Sequence, residues 1–148
     1  MNDMKKCYLD TNILIALKIE DSPHHAKTRK LIEVPVKEEI NFYISPLTVD
    51  EFLHPMKYFL GLKYRNVFPY LNQVLKEILM LPSVNLINPS VEIKAQLQVI
   101  QYMEDYRLRP RDAYHLFIMQ TNRIDLFATF DTDFNEVFKK GLVKKYRV

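Results

Sequence analysis

Apolar and polar positions along the chain follow two periods, one of about two residues and one near 3.6, and the two alternate. Lys5 to Leu9 reads as a short strand that stops at Asp10-Thr11-Asn12, whose side chains suit the cap of an apolar helix from Ile13 to Ile19. Ser22-Pro23 offers the cap and first position of a second helix through about Ile32, and Phe42 to Ile44 is the next strand. A helix is expected from about Leu47, with Pro55 ending or kinking it near His54. Val67, Tyr70, Leu71, Val74, Leu75, Ile78 and Leu79 repeat at helical spacing and predict one apolar face. Val84 to Ile87 is a short strand. Asn88-Pro89-Ser90 then opens a helix to Tyr106 with two apolar stripes, which predicts cover on two sides. Arg109-Pro110 breaks the chain before a helix from Arg111 to about Asn122. Leu126 to Phe130 and Leu142 to Val148 are the last strands.

Strands alternating with helices at these lengths imply right-handed crossovers, so the fold class expected is α/β: a three-layer α/β/α arrangement around a central, mainly parallel sheet of four to five strands. No repeat or Gly/Ser linker divides residues 1–148, which are expected to form one domain. With 148 residues and 48% hydrophobic composition, a sizeable core needs no disulfide staple. The lone Cys7 cannot form an internal bridge, no secretory leader is recognisable at the start, and no apolar run approaches a membrane span, so the expected compartment is the reducing cytoplasm, away from membranes. Gly61 and Gly141 are the only glycines, which excludes the Gly-rich phosphate cradles of Rossmann and P-loop proteins.

The net charge of +3 says little, but from Asn135 onward five bases face one acid, either as a phosphate-binding patch or as lysines guarding an edge strand. The acids are more informative. In parallel sheets the site lies at the carboxyl ends of the strands. Asp10 follows the first strand, Asp131 and Asp133 follow Leu126 to Phe130, Glu51 lies one turn into the helix after the second strand, and Asp112 opens its helix. Each singly reads as a cap, a turn or a solvated charge; together they are costly unless a cation neutralises them. A hard, oxygen-ligated ion, Mg²⁺ or Mn²⁺, fits such a set, whereas no HExxH, CxxC or Cys-paired histidine spacing favours zinc. His115 shares a helix face with Asp112 and reads as a core or surface histidine.

Taken together, Y-L-D-T-N at Tyr8 to Asn12, I-S-P-L-T-V-D-E at Ile44 to Glu51, R-D-A-Y-H-L at Arg111 to Leu116 and T-F-D-T-D-F at Thr129 to Phe134 resemble a PIN domain over nearly the whole chain. The resemblance implies a metal-dependent ribonuclease releasing a 5′-phosphate and a 3′-hydroxyl, often the toxin of a toxin–antitoxin pair in single-domain members like the VapC proteins. By position, Asp10, Glu51, Asp112 and Asp131 match the family's four acids, Asp133 an extra one, and Asn12 and Thr129 the small polar residues that orient them. Asp10, Asp112, Asp131 and Asp133 are then the metal candidates, with Glu51 completing the set. Arg109 and Arg111 are expected to meet RNA phosphate, with tyrosines such as Tyr114 stacking bases. A cognate antitoxin and a homodimer are the partners implied. Two other readings remain: a non-catalytic PIN-like binding module, or a housekeeping nuclease without an antitoxin. A haloacid-dehalogenase-like phosphatase is disfavoured, because Asn12 stands where that chemistry needs a second aspartate.

Overall fold

The structure, a computed structural model, describes residues 4–33 and 38–147. Five parallel strands, β1 (Lys5–Leu9), β2 (Ile40–Ile44), β3 (Val84–Leu86), β4 (Leu126–Ala128) and β5 (Lys144–Lys145), form one sheet in the order β3-β2-β1-β4-β5. The seven helices among the described residues are α1 (Thr11–Lys18), α2 (His25–Glu33), α3 (Pro46–Gly61), α4 (Phe68–Leu79), α5 (Gln98–Tyr106), α6 (Pro110–Thr121) and α7 (Asn135–Lys139). The chain builds outward from β1 to β3, then returns to lay β4 on the other side of β1. The reversal of direction falls between β1 and β4, which is where a doubly wound sheet opens a crevice.

Side-chain alternation divides the core between the two sheet faces. Cys7 and Leu9 pack with Phe42, Ile44, Phe52 and Ile78 under α1 to α4. Tyr8 and Phe127 pack with Leu116, Phe117, Phe134 and Val137 under α5 to α7. Register aligns the strand ends: Leu9 pairs with Ala128 and Tyr8 with Tyr43, so Asp10 stands beside Thr129 on one flank and Ser45 on the other.

Several boundaries differ from the sequence reading. Pro55 neither ends nor breaks α3, which runs on to Gly61. An interior proline costs about 3 kcal/mol. Phe52 and Met56, almost fully buried on either side of it, return about 1.5–3 kcal/mol each, and a Ser45–Thr48 capping box secures the helix start. α2 begins at His25 rather than Pro23, and a 3₁₀ turn (Lys94–Leu97) precedes α5 where a continuous helix from Ser90 was expected. Its second stripe is not covered: Ile93, Leu97 and Ile100 face solvent, Ile93 at 87% exposure, as does Val91 at the start of the first face. β4 and β5 are shorter than their apolar runs, and α7 had no periodic signal because it has only five residues. Val148, included in the expected last strand, lies outside the described residues. Arg109-Pro110 does break the chain: Arg109 is extended, as a residue before proline must be, and Pro110 takes the first turn of α6. No described helix is long and apolar enough to cross a membrane.

Candidate active site

The carboxyl ends of β1 and β4 deliver the first group of residues. Asp10 caps α1, its Oδ1 accepting the Thr11 N–H at 2.7 Å. Its Oδ2 accepts the Thr129 hydroxyl at 2.6 Å and the Asn12 side-chain amide at 3.2 Å. Thr129 Oγ1 in turn accepts the Asp131 N–H at 3.0 Å, and Asn12 Oδ1 accepts the Phe130 N–H at 3.3 Å. Asn12 and Thr129 thus tie the turn after β4 to the cap of α1 and orient one oxygen of Asp10. The second group comes from α3 and α6. Glu51 Oε2 accepts the Thr11 hydroxyl at 3.1 Å, while Oε1 meets His115 Nε2 at 2.7 Å.

His115 is the residue whose role the sequence reading missed. It is only 2% exposed, and both ring nitrogens are engaged: Nε2 with Glu51 and Nδ1 with the Tyr8 hydroxyl at 2.7 Å. The Tyr8 hydroxyl also lies 2.7 Å from Ser45 Oγ and 3.0 Å from Thr48 Oγ1. A buried polar chain therefore runs from the β2–α3 junction through the sheet to the α6 histidine and ends on Glu51. The available signals were parity and helical spacing: Tyr8 precedes Asp10 by two on its strand, Thr48 precedes Glu51 by three, and His115 follows Asp112 by three.

The remaining candidates sit around this centre. Asp10, Thr11, Asn12, Ile15, Glu51, Arg111 and Asp131 line a cleft of about 610 Å³, together with Asp50 and His54, which the sequence reading had not selected. Arg111 points at Glu51 from 3.8 Å. Asp112 and Asp133 share Arg109, whose Nε is 3.6 Å from Asp112 and whose Nη2 is 2.8 Å from Asp133, so Arg109 holds acids here rather than standing free for phosphate. The acids form two subsets, Asp10 with Asp131 and Asp112 with Asp133, and Glu51 stands in the field of the second. Tyr114 is exposed and donates to Gln96 Oε1. Of the C-terminal lysines, Lys144 and Lys145 form the edge strand β5, and Lys140 ahead of it donates to the Asp105 carbonyl. A larger concavity of about 800 Å³ lies at the opposite ends of the strands, around Lys5, Asn41 and Asp125, with no convergent acids.

Electrostatics separates the acids by function. Burial pushes the Asp10 carboxyl above its ordinary range, with the Thr129 hydrogen bond opposing and the Asp131 charge adding to it. Asp112 is also raised, first by burial, with Asp133 and Glu51 adding and Arg109 opposing. Burial would raise Glu51 too, but His115, Thr11 and Arg111 outweigh it and hold that carboxyl below its usual value. Glu51 is thus favoured as a carboxylate, while Asp10 in the cleft and Asp112 beside it are disfavoured in their ionised forms. A divalent cation fits that imbalance and that all-oxygen donor set. Among the described residues no three His, Cys, Asp or Glu side chains stand close enough to ligate one ion together.

The architecture is shared with known proteins. A VapC20 toxin of Mycobacterium tuberculosis that cleaves the sarcin–ricin loop superposes with a TM-score of 0.65 over 88% of this chain and 94% of its own, at 16% identity. VapBC2 of Rickettsia felis, bound to a DNA fragment from its promoter, also gives 0.65, over 95% and 97% at 14% identity. FitAcB of Neisseria gonorrhoeae gives 0.58, over 95% and 96% at 19% identity. No curated protein sequence matches the chain. At such identities the likeness establishes the fold. Membership rests on the sequence itself: residues 7–140 match the PIN domain model from the first strand to α7, and the chain belongs to the PIN domain family.

Proposed function

We propose that the chain is a divalent-metal-dependent endoribonuclease and the toxin component of a toxin–antitoxin pair. The observation that carries this reading is a cleft lined by carboxylates from three separate segments, Asp10, Glu51 and Asp131, with Asp112 in the field of Glu51 and Glu51 favoured in its ionised form by a buried histidine. Asp10, Asp112, Asp131 and Asp133 are the residues that would hold Mg²⁺ or Mn²⁺, in part through water. The ion supplies a bound water of lowered pKa and neutralises charge on the phosphate. Glu51, ionised and fixed by Thr11 and His115, accepts a proton from the attacking water. As the water oxygen bonds to phosphorus, the bond to the 3′ oxygen breaks; that oxygen takes a proton from solvent and leaves as a 3′-hydroxyl, and the 5′-phosphate remains on the other fragment. Arg111, exposed at the cleft rim, is placed to meet a phosphate oxygen; Arg109 would do so by exchanging Asp133 for it.

The test is cleavage of a labelled RNA with Mg²⁺, with Mn²⁺ and with EDTA. Cleavage with either metal and none in EDTA is the expected result. RNA binding without cleavage under any metal would instead make the chain a PIN-type binding module. The antitoxin is proposed on the likeness to VapBC2 and to VapBC-1 of nontypeable Haemophilus influenzae. Co-expression with the neighbouring reading frame tests it: relief of growth arrest supports a toxin, and arrest-free expression of the chain alone favours housekeeping RNA processing. Self-association is proposed on the exposed stripe of Val91, Ile93, Leu97 and Ile100. Sedimentation is expected to give a dimer for the parent chain and a monomer for Ile93→Glu.

A further inference from the structure

Between Glu51 and Glu77 the chain has no acidic residue, while Lys57, Lys63, Arg65 and Lys76 carry positive charge. This is the second half of α3, the connection after it and most of α4. Aromatic side chains on it point outward: Tyr58 is 69% and Phe68 64% exposed, far from what a core role would give. They are arranged against each other and against the bases. Lys57 Nζ lies 5.8 Å from the centre of the Phe68 ring, and Tyr64 stacks on Tyr70 at 3.5 Å between centroids with 14° between planes.

This surface is continuous with the crevice. Glu51, His54, Tyr58 and Leu62 recur at three- to four-residue steps, so they follow one side of α3 for about 16 Å of helix. His54 lines the acidic cleft and also a second concavity of about 680 Å³ formed with Pro55, Lys57, Tyr58, Gly61 and Leu62. A ligand leaving the carboxylates thus passes over His54 onto Lys57 and Tyr58, which line this concavity, with the other bases and rings of the stretch beyond it. Positive charge tracking a backbone, with flat rings for bases, is the recognition chemistry of single-stranded nucleic acid. A duplex would present no free base faces to Tyr58.

Resting on the ribonuclease reading, we infer that the α3–α4 surface is the binding track for single-stranded RNA flanking the scissile phosphate, with Tyr58 stacking a base and Lys57 meeting the backbone. Binding of a fluorescein-labelled 12-nucleotide single-stranded RNA of mixed sequence, measured by anisotropy in EDTA, tests it without cleavage. Tyr58→Ala is expected to weaken binding about five- to 150-fold and Tyr58→Phe to retain it, because the ring and not the hydroxyl stacks. Lys57→Gln is expected to reduce the slope of log affinity against log salt by about 0.7. Weak competition by a duplex of the same sequence supports the track. Both sites are exposed, and circular dichroism of each variant checks that it folds. Unchanged affinity in Tyr58→Ala and Lys57→Gln overturns the inference, including when the same variants lose a protein partner instead. The two ideas fail separately: binding that depends on Tyr58, without cleavage under any metal, sinks the ribonuclease reading and leaves the track, whereas cleavage indifferent to Tyr58 does the reverse.

Discussion

Asp10→Asn and Asp112→Asn are each expected to reduce metal-dependent RNA cleavage by about 10²–10³-fold, the scale on which losing one charged or hydrogen-bonding group from a reacting centre acts. The reasons differ. Asp10 Oδ2 accepts from two donors, Thr129 and Asn12, and Oδ1 from a third, the Thr11 N–H. An amide can accept on only one oxygen, so Asn at this position turns an N–H toward groups that themselves donate. Asp112 has only the longer contact to Arg109, and its loss is one of charge. Burial disfavours the ionised form of both, but at Asp10 the relief is offset by the broken hydrogen bonds, so a gain in stability is expected only for Asp112→Asn. Asp112 is raised by burial, by Asp133 and by Glu51, so folding disfavours its ionised form. A carboxyl whose folded pKa lies above the unfolded one subtracts from stability at any pH above the raised value, and the penalty fades as the pH falls below the unfolded value. Asp112→Asn removes it, and the variant is expected to melt higher than the parent at pH 7, by about 2–4 °C for each kcal/mol relieved. The gain should close as the pH falls below about 4, where the parent carboxyl is protonated in both states. Thermal melts at pH 7 and pH 3.5, beside the cleavage assay, measure both halves. A variant that cleaves RNA at the parental rate removes that acid from the site.

His115→Ala carries the second large effect. The histidine is the joint between the core and Glu51, and its removal takes the partner from Glu51 Oε1 and from the Tyr8 hydroxyl at once. It also leaves a cavity beneath α6, where a buried ring had packed against Tyr8 at 5.5 Å between centroids. The expected cost is about 2–4 kcal/mol of stability. Cleavage is expected to fall about 10–100-fold, the usual effect of losing a residue that orients a reacting group. Tyr8→Phe separates the two contributions. It keeps the ring and removes only the hydroxyl, and Ser45 Oγ and Thr48 Oγ1 still reach each other at 3.2 Å. Its stability loss should be about 1–3 kcal/mol, because His115 Nδ1 is left buried without its partner, while Glu51 is still held by Nε2. Urea unfolding and single-turnover cleavage of the two variants check this. Parental stability and rate in His115→Ala would show that the buried chain does no positioning.

Much of the architecture was legible because strand and helix periods differ and the β/α alternation admits few topologies. The strands at Lys5, Phe42, Val84 and Leu126, and the break at Arg109-Pro110, all lie where the residues indicated. Local rules failed where packing outweighed them. Pro55 is a helix breaker in isolation, yet burial of Phe52 and Met56 carries α3 past it. Val91, Ile93, Leu97 and Ile100 look like core by spacing, but no described element covers them, since spacing reports an apolar stripe and not what lies against it.

For the crevice, the positions of Asp10 and Asp131 directly after strands were enough to expect them side by side, because short turns after parallel strands leave their first side chains little freedom, and Glu51 joins them from the first turns of α3, whereas Asp112 stands outside the cleft lining, beside Arg109. Their pairing was a different matter. That Arg109 serves Asp133, that His115 braces Glu51 through contacts reaching back to Tyr8 and Ser45, and that the acid-free stretch after Glu51 opens from the same cleft all depend on distances across segments 24 to 107 residues apart. Periodicity describes one element at a time. Only the sheet register, which sets Asp10 beside both Ser45 and Thr129, decides which side chains meet, and a one-residue slip would turn Tyr8 to the other face and disconnect the histidine from the core.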